Sequence, residues 1–343
     1  MSTGTYKSRI HCSIDLSGEG RQIGDLRLRY SDNRQPLGFY PVPIICIGGT
    51  EEGPTLLLIG GVHGDEFEGP VALMRLMHSL PPREISGRII MLPALNMPAI
   101  EAASRISPLD RANLNRAFPG DPDGGPTAML AHFVETVLMP QSDAVIDLHA
   151  GGKASVFAAC ALASRNEDAD LSESNLALAK AFGIPLIWLL GAYNDDRSVN
   201  AAAARRKVPM IAAELGGGGG CDPVHADLAE AGVRRCLAHL GMLPAGPRDD
   251  PPSRLVEVTS AAQNIYAPCR GLFDRKFAAG EEVEAGQDAG FIHPIGEPSR
   301  PPVRLVHPST GIVLAHGNRG HVERGEMLAM VAHDTMVGAE ASR

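Results

Sequence analysis

Three largely apolar runs, each followed closely by glycine and by a side chain that can bind metal or carry a proton, constrain this chain more than any other feature. The runs are Thr55–Ile59, Ala144–Leu148 and Val208–Ala213. Short apolar runs bounded by glycine are typical of buried strands in a parallel or mixed sheet. His63, His149 and Glu214 follow these runs. Because ligands of open α/β sheets bind beyond the carboxyl ends of the strands, we expect the three side chains to meet at one edge of one sheet.

Between Thr55 and Leu243 the sequence alternates strand-like runs, glycine-rich loops and helical patterns. The predicted helices are Glu66–Leu80, Thr127–Met139, Asn175–Phe182 and Asp222–Leu240, and a further strand is predicted over Arg88–Leu92. Pro81 ends the first helix, and Asp222 can cap the last one. This alternation predicts an α/β fold, with a mixed sheet flanked by helices.

Changes in composition predict two domains. Residues 1–245 form the first, of which residues 1–54 are a β-rich segment, and residues 246–254 have the proline and aspartate content of a linker. Short strands separated by turn signals predict a small all-β domain over residues 255–343. This domain resembles a biotinyl/lipoyl barrel-sandwich fold in the segments Ala267–Gly271 and Glu281–Gly286. No lysine follows Lys276, so we expect a structural unit or a wall of the active site rather than a carrier arm.

The composition argues against several classes of function. The formal net charge is −9 and aromatic residues make up 4% of the chain, which argues against a nucleic-acid-binding surface. No run approaches the roughly 20 apolar residues of a membrane span. The N-terminal residues lack the apolar segment of a signal peptide, and the six cysteines are scattered as expected for reduced thiols. We therefore expect a cytoplasmic protein that acts without nucleic acid or membrane.

His63 and Glu66 stand three residues apart at a predicted strand-to-helix turn, and His149 follows another strand. Zinc binds histidine nitrogen and carboxylate oxygen, and a catalytic zinc site has three protein ligands and one position for water. A His-x-x-Glu pair by itself is common by chance. Flanking glycines leave His63 accessible, however, and His149 completes a His₂Glu set. The sequence therefore predicts a site for one Zn²⁺ per chain.

Glu214 ends an apolar strand just before five consecutive glycines, Gly216–Gly220. Its carboxylate is either a structural partner for a loop or a general base beside the metal. The glycine run would let backbone approach a substrate closely. A phosphate-binding loop is excluded, because no Lys-Ser/Thr pair follows the glycines.

The polar segment Arg111–Gly120 offers a second kind of contact. The guanidinium of arginine forms a planar fork that suits a substrate carboxylate. Alternatively, these residues only tie a long loop to the rest of the protein. The residues alone leave both interpretations open.

Four motifs, in this order, resemble those of the succinylglutamate desuccinylase/aspartoacylase family, a branch of the zinc carboxypeptidase-like fold. The motifs are Gly61–Glu66, Asn113–Phe118, Asp147–His149 and Glu214–Gly216. The resemblance extends over most of the chain and implies a zinc-carboxypeptidase-like mixed sheet. It also implies these roles: zinc on His63, Glu66 and His149; Glu214 as general base and then proton donor; Asn115 and Arg116 on the substrate carboxylate; and Arg105, in competition with Arg111, on the scissile carbonyl.

One residue departs from the family pattern, because Asn113 stands where the family has aspartate. We expect this change to alter the support of a ligand rather than ligation itself, and it argues against aspartoacylase itself. The fuller pattern over Ser104–Gly120 is more similar to the deacetylases of N-acetyl-diaminobutyrate.

The resemblance therefore implies a zinc-dependent hydrolase that removes the acyl group of a small N-acyl amino acid, N-acetyl-L-2,4-diaminobutyrate first, and it also suggests a homo-oligomer. Succinylglutamate desuccinylase or aspartoacylase activity is the first alternative. A zinc carboxypeptidase that cuts peptides is the second. The third is a zinc-stabilised binding module without turnover.

Overall fold

Most strands of the protein belong to one long mixed sheet. The computed structural model describes residues 8–31, 33, 36–191, 194–246 and 253–336. The strands are β1 His11–Cys12, β2 Gly20–Tyr30, β3 Gly38–Gly48, β4 Glu51–Gly60, β5 Ser86–Leu92, β6 Ala144–His149, β7 Ser155–Phe157, β8 Cys160–Ser164, β9 Leu186–Leu190, β10 Met210–Glu214, β11 Arg254–Glu257, β12 Ile265–Tyr266, β13 Gly271–Arg275, β14 Glu282–Val283, β15 Asp288–His293, β16 Val303–Val306, β17 Gly311–Gly317, β18 His321–Val322 and β19 Met327–Asp334. The α-helices of the same residues are α1 Glu68–Ser79, α2 Met97–Glu101, α3 Pro126–Phe133, α4 Ala169–Phe182, α5 Val199–Arg206 and α6 Pro223–His239.

The centre of this sheet consists of parallel strands. Neighbouring strands follow the order β1-β2-β3-β5-β4-β6-β10-β8-β9-β11-β19-β17-β14. The strands β5, β4, β6 and β10 run parallel to one another, whereas β3 pairs antiparallel with β5 and β8 pairs antiparallel with β10. These pairings confirm the mixed α/β sheet that the sequence predicts.

Helices cover both faces of the central strands, which is why those strands are apolar throughout rather than alternating. In β4, Leu56 and Leu58 belong to a core cluster shared with α1, α4 and α6. Leu57 and Ile59 belong to the cluster on the opposite face, shared with α3 and α5. All four side chains are fully buried. Burial of each contributes about 1.5–3 kcal/mol, so the central strands give the site at their ends a rigid support.

One predicted helix is interrupted. Thr127–Met139 is not a single α-helix, because α3 ends at Phe133, a π-helical turn spans Val134–Leu138 and a 3-10 turn spans Met139–Gln141. Pro140 explains the change, since it has no N–H to donate and its ring crowds the carbonyl group four residues earlier. Within the part of the chain that the structure describes, no helix is long and apolar enough to cross a bilayer.

Residues 254–334 extend the large sheet and add a second one. The strand β11 pairs parallel with β9 and antiparallel with β19, so the large sheet continues past the predicted linker. The strands β13, β15, β16 and β18 form a separate four-stranded sheet. The strand β7 pairs with β17, which brings the C-terminal strands beside the loop that follows His149. The division at residues 246–254 stays a prediction, and residues 247–252 lie outside the described residues.

Candidate active site

Parallel strands bring the predicted site residues to one edge of the sheet. Glu214 at the end of β10 is paired with His149 at the end of β6, and β4 lies on the other side of β6. Paired residues of neighbouring strands point to the same face, so Glu214 and His149 stand side by side. His63 and Glu66 follow β4 in the turn before α1, which begins at Glu68 rather than at Glu66 as predicted.

His63, Glu66 and His149 form one buried group. Nδ1 of His63 lies 2.7 Å from Oε1 of Glu66, and Nδ1 of His149 lies 2.9 Å from Oε2 of the same carboxylate. None of the three side chains is more than 6% exposed. One potential ligand atom from each residue lies within 4.8 Å of the other two. This group could therefore hold a metal ion, and we call it the metal-binding group.

The outer nitrogen of each histidine ring is held by a polar side chain. Oδ2 of Asp147 lies 2.7 Å from Nε2 of His149, and Oδ1 of Asn113 lies 3.2 Å from Nε2 of His63. An acceptor at Nε2 favours the tautomer with its proton there, which leaves the lone pair on Nδ1. Both Nδ1 atoms face the Glu66 carboxylate. The donor set and its orientation therefore fit a metal ion bound between two imidazoles and one carboxylate.

Burial and mutual attraction together set the charges of this group. Burial by itself would raise the pKa of Glu66, but the two histidines lower it below the ordinary range of a carboxyl. Burial likewise opposes protonation of His149, yet Asp147 and Glu66 raise its pKa well above the ordinary value, so a metal ion would displace a proton from Nδ1. For His63, burial outweighs its attraction to Glu66 and lowers the pKa. Glu66 is therefore an anion, as a carboxylate ligand must be.

Glu214 supplies a second carboxyl group beside the metal-binding group. Burial raises the pKa of Glu214 to about 8, with smaller influences from His149, which lowers it, and Glu66, which raises it. Its Oε2 atom is buried and has no hydrogen-bond partner among the described residues. Because an unpaired buried oxygen is costly, this atom marks a position where a bound molecule would be favoured. A carboxyl with such a pKa can take up and release protons near neutral pH.

Of the two arginines that compete in the sequence, Arg105 reaches the metal-binding group. Its Nη1 atom lies 3.3 Å from both Oε1 of Glu66 and Nδ1 of His63, and its side chain is 47% exposed. Arg111 is exposed, has a left-handed φ of 55°, and donates its backbone N–H to Ser107. Arg105 therefore places a cation between the buried group and the solvent.

Asn115 and Arg116 lie on a 3-10 turn next to the metal-binding group. Asn113 begins the turn by accepting the backbone N–H of Asn115 on its Oδ1 at 3.0 Å. Oδ1 of Asn115 accepts the N–H of Val199 in α5 at 3.0 Å. Nε of Arg116 lies 3.0 Å from Oδ2 of Asp195 in the loop before α5. Within the described residues, these side chains contact α5 and its loop rather than the metal-binding group.

The glycines after Glu214 pack against the loop that follows His149. Gly217 has a φ of 138°, and a Cβ atom there would lie 2.3 Å from the carbonyl oxygen of Ser155. The N–H of Gly218 donates to that same oxygen at 3.1 Å. The close backbone approach that the structure shows is therefore to the chain's own loop, and it holds the end of β10 in place.

Two residues near the site had no assigned role in the sequence-based prediction. Asp147 stands two residues before His149 on a strand, a spacing that puts both side chains on one face, so the pattern could have indicated it. Asp195 lies far from Arg116 along the chain, and no local pattern links the two residues.

Comparison with known proteins extends these observations. The model of the succinylglutamate desuccinylase/aspartoacylase catalytic domain matches residues 52–240. The chain is 33% identical over 326 residues to the N-alpha-acetyl-L-2,4-diaminobutyric acid deacetylase of Halomonas elongata, covering 95% of each chain.

Two solved structures share the fold over nearly their whole length. A succinylglutamate desuccinylase/aspartoacylase from Rhodobacter sphaeroides is 36% identical with a TM-score of 0.90, covering 96% of this chain and 100% of its own. The product-bound ectoine utilization protein EutE (DoeB) from Ruegeria pomeroyi is 32% identical with a TM-score of 0.92, covering 96% of this chain and 99% of its own. The chain therefore belongs to the succinylglutamate desuccinylase/aspartoacylase family.

Proposed function

We propose that this protein is a zinc-dependent hydrolase that removes the acetyl group from Nα-acetyl-L-2,4-diaminobutyrate. The observation that carries the proposal is the convergence of His63, Glu66 and His149 within 4.8 Å, with the carboxyl of Glu214 beside them. The choice of substrate is supported by the similarity of almost the whole chain to the Halomonas elongata deacetylase.

Zinc is the metal that this donor set favours. Two imidazole nitrogens and one carboxylate are the ligands of a familiar class of catalytic zinc sites. When bound, zinc would supply a Lewis acid that polarises the scissile carbonyl and acidifies water. Asp147 and Asn113 would keep the two histidines oriented for it.

Glu214 would carry the proton through the reaction. It would take a proton from the attacking water and deliver it to the amide nitrogen as the C–N bond breaks, so that acetate and the free amine leave. The buried, unpartnered Oε2 atom supports this role, and the pKa of about 8 suits the donation of the proton to the amide nitrogen. Arg105, at 3.3 Å from Glu66, would donate to the carbonyl oxygen as negative charge develops on it.

Asn115 and Arg116 would bind the carboxylate of the substrate. Their 3-10 turn begins at Asn113, whose side chain contacts His63, so the turn starts at the metal-binding group itself. A guanidinium matches a carboxylate in shape and charge. The C-terminal strand β17 pairs with β7, so the C-terminal strands would form a wall of the site. They would belong to a second domain over residues 255–343.

The test compares kcat/KM of the zinc-loaded protein on Nα-acetyl-L-2,4-diaminobutyrate, N-acetylaspartate and N-succinylglutamate. We expect the first to be preferred by about a hundredfold or more, because a site that pairs a charged group rejects substrates that leave it unpaired. A similar preference for either other substrate would reassign the protein within its family. If the folded, zinc-loaded protein hydrolyses none of the three substrates, the proposal is overturned.

A further inference from the structure

We propose that Asp195 is a positioning residue for substrate recognition, which orients the guanidinium of Arg116 toward the α-carboxylate of the substrate. This inference rests on the proposed function. It concerns a residue outside the metal-binding group, on a loop that neither the motifs nor the sequence pattern single out.

The guanidinium of Arg116 makes two polar contacts that limit its orientation. Nε pairs with Oδ2 of Asp195 at 3.0 Å, and Nη1 donates to the backbone carbonyl of Asn115 at 2.6 Å. A guanidinium carries five N–H groups, so these two contacts leave donors for a ligand. The side chains of Arg116 and Asp195 are 40% and 26% exposed. The pair is therefore partly exposed and open to a substrate.

Asp195 is itself held firmly by Arg197. Oδ1 of Asp195 accepts from the backbone N–H and from Nε of Arg197, at 2.9 and 3.0 Å, and Oδ2 accepts from Nη2 at 2.9 Å. These hydrogen bonds, with the charge of Arg116, hold the pKa of Asp195 below its usual range. Asp195 thus remains an anion with a defined orientation, as a residue that aligns a cation must.

The loop that carries Asp195 is joined to the segment that carries Arg116. The N–H of Phe118 donates to the carbonyl of Arg197 at 3.2 Å, and the N–H of Val199 donates to Oδ1 of Asn115 at 3.0 Å. The two segments are distant in sequence and form one unit here. These two hydrogen bonds hold the carboxylate of Asp195 next to Arg116.

The turn that carries Arg116 starts beside the metal-binding group. The turn runs from Asn113, which contacts His63, to Arg116. With a rise of about 2 Å per residue, three residues of 3-10 turn span roughly 6 Å. In an N-acyl amino acid the carboxylate carbon lies two bonds from the scissile amide nitrogen. We expect a substrate with its amide at the metal-binding group to extend its carboxylate along this turn, toward Arg116.

The test combines variants with two substrates, Nα-acetyl-L-2,4-diaminobutyrate and its α-carboxamide. For Asp195→Asn we expect KM for the acid to rise about tenfold or more, because a charge-assisted contact weakens, with kcat within about twofold. The carboxamide offers no anion to Arg116, so its kcat/KM should change less than about twofold. In an Arg116→Ala background, Asp195→Asn should add nothing, since the two residues act as one unit.

Asp196→Asn is the matched control, because it removes the neighbouring acidic side chain of the same loop, and it should leave both substrates unaffected. Zinc content and the melting temperature of each variant establish that the site and fold are intact. Three outcomes would each overturn the inference and leave the proposed function standing. They are equal losses of kcat/KM on the acid and the carboxamide, additive effects of the two substitutions, and no effect of Asp195→Asn. If the wild-type protein hydrolyses neither substrate, the proposed function is overturned, and the inference with it.

Discussion

At the scale of single residues, the metal-binding group depends on the hydrogen bonds made behind each histidine. His149 is supported by a carboxylate, Asp147, whereas His63 is supported by a neutral amide, Asn113. The same Asn113 oxygen also accepts the N–H of Asn115. Asn113 therefore joins one proposed metal ligand to the turn that carries the proposed substrate contacts.

We expect Asn113→Ala to weaken zinc binding about 10- to 100-fold, because His63 loses the acceptor that sets its tautomer. Asn113→Asp keeps an acceptor and restores the charge typical of the family, so its zinc affinity should equal or exceed that of the wild type. Competition with a chromophoric chelator measures both constants. An alanine variant with unchanged affinity would show that Asn113 does not support His63.

Glu214→Gln keeps the shape of the side chain and removes its ability to carry a proton. We expect kcat to fall by at least about 100-fold, the lower end of the contribution of a positioned general base. Zinc content should be unchanged, since Glu214 is outside the proposed ligand set. Steady-state kinetics with elemental analysis checks both expectations. Near-normal turnover, or loss of zinc, would remove Glu214 from the proposed role.

At the scale of secondary-structure elements, the end of β10 is held by backbone contacts that only glycine allows. A Cβ atom on Gly217 would meet the carbonyl oxygen of Ser155 at 2.3 Å, and its φ of 138° is strained for any other residue. At Gly220, in contrast, a Cβ atom would have nothing within 4 Å. The two glycines of one run thus offer a matched comparison.

We expect Gly217→Ala to cost about 1–3 kcal/mol of unfolding free energy, the range for a strained backbone, and to lower the melting temperature by several degrees. Activity should fall as well, because the loop that fixes Glu214 shifts. Gly220→Ala should stay within about 0.5 kcal/mol of the wild type. Thermal denaturation compares the two, and equal stability of both variants would contradict the assigned role of the run.

At the scale of the whole molecule, the metal-binding group joins segments that are widely separated in the chain. Glu66 and His63 follow β4, and His149 ends β6. An ion bound there would link these strands in the folded state and would find no such site in the unfolded chain. Metal binding should therefore stabilise the entire fold.

We expect zinc at about 1,000 times its dissociation constant to add about 4 kcal/mol to the unfolding free energy, and a strong chelator to reverse this gain. Differential scanning calorimetry of the chelated and zinc-loaded protein measures the shift in melting temperature. His63→Ala, which lacks one ligand, should show little shift. A wild-type melting temperature that does not change when zinc is added would argue against the predicted ligand set.

Several parts of the fold and site were accessible to sequence reasoning. The apolar runs predicted β4, β6 and β10 because each is buried on both faces. The order of four motifs predicted the family, which the matching family model confirms. The assigned roles of Glu214, Arg105, Asn115 and Arg116 stay predictions.

Other elements have local sequence patterns that are too weak to predict them. The alanine-rich helix α5 spans only eight residues, about two turns, and its start depends on the cap that Ser198 provides to Ala201. The interruption after α3 required attention to Pro140, whose effect reaches back four residues. Such features are visible in the sequence only when the backbone hydrogen bonds are considered one by one.

The sequence by itself determined which strands are buried, which side chains could bind metal, and to which family the chain belongs. The first two properties are local, because they follow from residue type, spacing and the periodicity of one segment, and the family follows from the order of four such segments along the chain. Only the tertiary structure decided that Arg105 rather than Arg111 reaches Glu66, that one oxygen of Asn113 serves both His63 and the next turn, and that Asp195 pairs with Arg116. Each of these contacts joins segments whose approach depends on how the strands and helices pack, and no local pattern records that packing.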